Sequence, residues 1–204
     1  MADRPAISRL IQLKKKAGMN DRHVRGGYPI EHTTKYRRIK FPRLELKSGE
    51  LEAIMPQGKD PGVVLRKHMA WVHNRQEFII RCLEAAKELD LLDRSIAEFQ
   101  LLTAKILTRY QADLNVHVNC VFYRKMRTKW ASCSPSQNLT INTIMKYLPK
   151  RHIEYIIYHE LIHLIERRHN KRFWELAATE FKNHQKIELS LFSYWFAINA
   201  MIPN

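Results

Sequence analysis

Two histidines one helical turn apart, a glutamate beside the first and a third histidine soon after stand in the stretch YIIYHELIHLIERRHN, Tyr155 to Asn170. On an α-helix each residue advances by about 100°, so His159 and His163 lie about 40° apart on one face and both imidazoles reach a single metal ion. Glu160 falls beside them, too far round to be a ligand and close enough to take a proton from a metal-activated water. That is the chemistry of a metal-dependent hydrolase. Were the helix to continue, His169 would sit about 280° round and about 15 Å along the axis, off the metal face. The helix is therefore expected to stop and the chain to fold back. His169 then supplies the third nitrogen and leaves a fourth tetrahedral position open, as in catalytic zinc sites. The spacing H-E-x-x-H-x-x-x-x-x-H is that of metzincins, with Glu166 where those carry glycine. The turn is expected at Asn170, a residue that tolerates left-handed backbone. A different enzyme reading replaces His169 with a later carboxylate, Glu175 or Glu180, as in gluzincins.

Other residues nearby have possible roles. Glu166 is placed to orient a ligand from behind and equally to be solvated at the helix end, Tyr155 to stabilise an oxyanion or, more often for such a tyrosine, simply to pack, and Trp130 and Trp174 to wall the cleft, although aromatic residues at such positions are more often core. Cys133, a lone thiol beside three histidines, reads as a small buried hydrophobe. Two basic clusters flank the motif: Arg124, Lys125, Arg127 and Lys129 before Trp130, and Arg167, Arg168, Lys171 and Arg172 around His169. They suit acidic peptides or the phosphates of DNA or RNA, and equally a solvated surface.

The elements that must hold these residues follow from periodicity. The motif helix is expected just after Pro149, and nothing in RHIEYIIYHELIHLIE interrupts it. Before it, Asn138 to Ile144 reads as a strand after the Ser134-Pro135-Ser136 turn. Asn115 to Met126 alternates so as to put Val116, Val118, Cys120 and Phe122 on one face. Upstream, Tyr36 to Met55 alternates about Lys47-Ser48-Gly49 as a hairpin. Asp60-Pro61 opens a helical region with Val64, Met69, Val72, Ile79, Leu83 and Ala86 at three-to-four spacing, and a second helix runs from about Ser95 to Gln111. Residues 1–30 read as a basic arm. Residues 31–204 read as one domain, with a hairpin and helical scaffold over 31–114 and a catalytic core over 115–204.

The stretches RKMRTKWASCS, NLTINTIMKYLP and IEYIIYHELIHLIERRHNKRFW resemble the YgjP-like zinc metallopeptidases, relatives of the SprT-like and WLM groups. That family carries W-G-S-C, then a strand with an Asn, then H-E-L-x-H and a third His shortly before Phe-Trp. The matching positions here are Trp130, Ser132, Cys133, Asn142, His159, Glu160, His163, His169, Phe173 and Trp174, with Ala131 replacing the glycine. The resemblance implies a zincin-like α+β fold, with a small antiparallel sheet packed on the H-E-x-x-H helix, that binds one Zn2+ through the three histidines.

Composition places the chain in the soluble globular class. With 45% hydrophobic and 27% charged residues the chain is globular, and 35 Lys and Arg against 20 Asp and Glu give a net charge of +15 that favours a polyanionic neighbour. Three scattered cysteines suggest no disulfide framework. The start of the chain lacks a secretion signal, and the uncharged stretch from Leu189 falls short of the roughly 20 residues that span a bilayer. A cytoplasmic metallopeptidase acting on peptides or proteins is expected, with Glu160 as general base. The competing reading is a nucleic-acid-associated module whose zinc is structural, for which a carboxylate beside the first ligand has no use.

Overall fold

The computed structural model describes residues 32–47 and 50–202. The expected arm over residues 1–30 and the Ser48-Gly49 turn lie outside the described residues. The chain divides into two compact units, one of residues up to Leu89 with those from Trp195 on, the other Asp90–Tyr194.

In the first unit the alternating stretch forms β2 (Arg43–Lys47) and β3 (Glu50–Met55), and a strand the sequence reading did not include, β1 (His32–Tyr36), precedes them; the spatial order is β1-β3-β2. β2 and β3 are the antiparallel hairpin, and β1 joins β3 in parallel. As the middle strand, β3 buries Leu51, Ala53, Ile54 and Met55. The Asp60 side chain accepts a hydrogen bond from the Gly62 N–H at 2.8 Å and starts α1 (Pro61–Lys67), where Pro61 occupies a first-turn position that needs no donor. Helix α2 (Met69–Ala85) follows. Its Val72 packs with Leu51 and Leu65, and its Ile79 and Leu83 pack with Ala200.

The second unit opens with α3 (Ile96–Leu114). Ser95 and Glu98 cap it reciprocally, each side chain bonded to the other residue's backbone N–H, and it ends at Asn115 in a left-handed conformation, φ 51°. Three strands follow, β4 (Cys120–Arg124), β5 (Ala131–Cys133) and β6 (Asn138–Asn142), in spatial order β4-β6-β5. β5 runs antiparallel to β6, but β4 runs parallel to it. The sheet is therefore mixed, not antiparallel as expected. A tight turn at Ser134–Gln137 pairs β5 with β6 as a hairpin, and β6 lies between β5 and β4. The face expected of the first strand is also reversed. Val121 and Tyr123 are half-buried, whereas Cys120 and Phe122 are exposed, and Val116 and Val118 precede the strand. Tyr123 is turned inward by packing edge-on against Phe99 and by a 2.6 Å hydrogen bond with Thr103 Oγ1.

Helix α4 (Lys150–Ile162) carries the motif and buries Ile153, Tyr155, Ile156, Ile157, Tyr158, Leu161 and Ile162. These residues cover most of its circumference, as on a helix enclosed by its domain. Helices α5 (Lys171–Glu180) and α6 (His184–Met201) follow. Tyr110, Tyr158 and Phe181 form an aromatic cluster joining α3, α4 and the end of α5. No helix among the described residues is long and apolar enough to cross a membrane.

Candidate metal centre

Helix α4 ends at His163, beyond which Leu164, Ile165 and Glu166 N–H groups bond back to Leu161 and Ile162 carbonyls at 2.8–3.0 Å. The chain then reverses toward the helix, as the histidine spacing requires. Asn170 does not make the turn in a left-handed conformation. Its backbone is extended, φ −91° and ψ −175°, and its side chain caps α5 by accepting from the Phe173 N–H at 3.0 Å. Capping is the commoner use of an Asn that precedes a helix.

This reversal brings His169 to the pair on α4. One ring nitrogen from each of His159, His163 and His169 lies within 4.8 Å of the others, and His169 Nε2 is 3.1 Å from His159 Nε2. Among the described residues this is the one grouping of His, Cys, Asp or Glu that close. Burial, and then the neighbouring imidazoles of His163, His169 and His184, push His159 down to about 3. Burial likewise lowers His163. Both rings are thus neutral at neutral pH, the form that ligates metal. The Nδ1 of His163 is 3.2 Å from the Glu166 carbonyl, so with Nδ1–H donating there, Nε2 carries the free lone pair. Three imidazoles converging from a helix and a turn fit a metal ion that prefers nitrogen ligands.

Glu160 lies alongside. Its Oε2 accepts a hydrogen bond from the Cys133 N–H on β5 at 2.9 Å. Burial pushes its carboxyl up to about 7, against the opposing effects of the Cys133 N–H and the Lys129 charge. Burial and then the nearby Glu160 charge raise the Cys133 thiol to about 11, so it is a poor thiolate ligand. Lys129 belongs to the β4–β5 connection, which the fully buried Asn142 organises. The Asn142 carboxamide donates to the Met126 and Lys129 carbonyls and accepts from the Met126 and Ile144 N–H groups.

The remaining expected residues are placed as follows. Glu166 meets His163 through its carbonyl, while its carboxylate accepts from the Arg168 N–H at 3.2 Å. The Tyr155 hydroxyl donates to Glu188 Oε1 at 2.7 Å, and burial holds it well above the usual tyrosine range. Trp174 stacks on His169, with ring centroids 5.6 Å apart and planes 25° apart, whereas Trp130 is half-buried and its carbonyl accepts from the Asn142 N–H. Glu175 pairs with Lys171, and Glu180 accepts from Tyr110 and Arg109. Arg124, Lys125, Arg127, Lys129, Arg167, Arg168, Lys171 and Arg172 are all exposed. Sequence reasoning missed the Cys133 amide, the Glu166 carbonyl, Glu188 and His184. The first two are backbone groups without a residue signature. A histidine or acid on the inward face of the last helix was the available sign of the other two.

A model of the YgjP-like metallopeptidase domain matches residues 84–194. Solved structures similar to this chain include two metallopeptidase zymogens. Jannalysin of Methanocaldococcus jannaschii is 25% identical over 44% of this chain and 86% of its own, with a TM-score of 0.39. Abylysin of Pyrococcus abyssi is 22% identical over 43% of this chain and 87% of its own, with a TM-score of 0.39. No curated protein matches the chain. The family match takes in more than half of the sequence and all of the histidine cluster, and on that match the chain belongs to the YgjP-like metallopeptidases, which are hydrolases.

Proposed function

We propose that this metallopeptidase holds one zinc ion through His159, His163 and His169 and hydrolyses peptide bonds with Glu160 as the general base. The observation that carries the reading is the convergence of three imidazole nitrogens within 4.8 Å beside a carboxylate anchored by the Cys133 N–H. Bound zinc would supply Lewis acidity and lower the pKa of water toward about 7. The chain's own part is positional and acid–base. With Oε2 held by the Cys133 N–H, Oε1 of Glu160 is free to take the proton of the attacking water and return it to the leaving amine. A proton affinity near neutrality suits a group that both accepts and donates. The engagement of Glu180 with Tyr110 and Arg109, and of Glu175 with Lys171, favours His169 over either glutamate as the third ligand.

Glu160→Gln tests this. It keeps the size and the hydrogen bond to the Cys133 N–H while removing the proton acceptor. The variant is expected to keep its zinc, by elemental analysis, and its melting temperature, while peptidase activity falls on the order of 10²- to 10⁴-fold. Unchanged activity would reject Glu160 as the base.

The exposed cations support a second element of the reading, a polyanionic partner such as DNA or RNA that contacts the Arg124–Lys129 and Arg167–Arg172 segments. Lys129, whose charge reaches Glu160, connects that surface to the site.

A further inference from the structure

His159 and His163 are directed by one helix, and the Glu166 carbonyl fixes the ring of His163. His169 has neither advantage. It is exposed, lies between α4 and α5, and among the described residues the polar contact of its ring is with His159 itself. Ligating histidines are usually oriented by a carbonyl or carboxylate on the far ring nitrogen. Here flat rings occupy that role. The edge of Phe173, a fully buried residue, meets His169 at 4.5 Å and 77°. Trp174 lies nearly parallel to His169, and the Trp174 indole is itself nearly parallel to His184, at 5.0 Å and 18°. His184 is the first residue of α6, and its N–H donates to the Phe181 carbonyl at 2.9 Å. Its Nδ1 is buried and, among the described residues, has no hydrogen-bond partner. A buried ring nitrogen without a partner does not stabilise the fold, so the position uses the flat face of the ring.

We infer that Trp174 and His184 form a stacked support that holds His169 in its ligating orientation, which makes His184 a positioning residue of the metal centre. The inference rests on the reading of His169 as a ligand. A stack that pre-orders an exposed ring removes part of the rotamer freedom lost on metal binding. His184 enters no proton transfer and touches no reacting atom.

The experiment measures zinc affinity by competition with a chromophoric chelator for the full chain and for His159→Ala, His184→Ala, His184→Phe and His184→Leu. It adds the visible spectrum of each cobalt(II)-loaded protein and the melting temperature of each metal-free form. His184→Phe keeps a flat ring and is expected to bind zinc within about 3-fold of the unmodified protein, whereas His184→Leu and His184→Ala weaken binding about 10-fold, the scale usual for groups that orient a ligand. The cobalt spectrum should change in the Leu and Ala variants with no matching fall in melting temperature. Equal affinities for His184→Phe and His184→Leu would overturn the inference even if His184→Ala fails to fold, as would an unmodified affinity in His184→Ala. If His159→Ala binds zinc as tightly as the unmodified protein, it is the assignment of the metal centre that fails. The two failures are therefore distinguishable.

Discussion

Around the three histidines, backbone groups hold two of the candidate site's side chains. The Cys133 N–H anchors Glu160 and the Glu166 carbonyl meets His163, so side-chain substitution at Cys133 or Glu166 would leave those contacts in place. The ligand assignment is more easily tested. Replacing His169 by Ala is expected to weaken zinc binding as much as His159→Ala does, while Glu175→Ala and Glu180→Ala leave it within about 3-fold, because neither carboxylate belongs to the cluster. Metal titration of the four variants decides it, and loss confined to a glutamate variant would transfer the third position to that residue. The convergence of the three histidines was legible in the sequence because helical period and metal geometry together restrict the spacing. The backbone partners were not, since any residue type supplies an amide. Nor was His184 legible: it belongs to no motif, and what brings it to Trp174 is the packing of α6.

Between helices α4 and α6 runs a polar seam. His152 Nε2 meets Ser190 Oγ at 2.6 Å, the His152 ring packs edge-on against Tyr194 at 4.9 Å, and Tyr155 donates to Glu188 one turn further along. Burial lowers the pKa of His152. Its folded value thus lies below its unfolded value of about 6.5, and protons are taken up preferentially by the unfolded chain. The stability contribution is whole above about pH 6.5 and is lost as pH falls from there through the folded value. Melting temperatures of the metal-free protein between pH 7.5 and 5 should therefore drop more steeply than those of His152→Gln, which can still hydrogen-bond Ser190 but does not titrate. Identical slopes would show that His152 is not the group responsible. At this scale the helix starts read well: Asp60-Pro61, Ser95 and Pro149 each stand where a helix begins. The face of β4 did not, because Cys120 and Phe122 are as apolar as Val121 and Tyr123, and only the packing of Phe99 and Thr103 chooses between the two sets. Asn170 misled for a related reason, since the same short side chain suits a left-handed turn and a helix cap.

For the molecule as a whole, the net charge of +15 bears on the proposed polyanionic partner. If phosphates bind the exposed segments, affinity for DNA or RNA should fall by about 10³-fold or more between 50 and 200 mM salt, with little dependence on base sequence. Changing Arg127, Lys129, Arg168 and Lys171 together to Gln should flatten that slope and leave zinc content intact. Absence of binding by the unmodified protein at low salt would remove nucleic acid from the reading. Composition made the charge plain, but the strand order β4-β6-β5 could not be read from it, because strand patterns report which faces are buried and not which strands are neighbours. That order has a consequence for how the unit is assembled. β4 and β5 do not pair with each other: each has β6 as its ladder partner, and the connection between them is held through Asn142. Residues 138–142 thus bridge the two strands, and the last side chain of that segment, Asn142, bonds to the backbone of the connection. Without that segment neither the ladder nor the connection that carries Lys129 has its partner. The sheet and the floor of the site should therefore form in a single late step, and a chain ending before Asn138 should have neither.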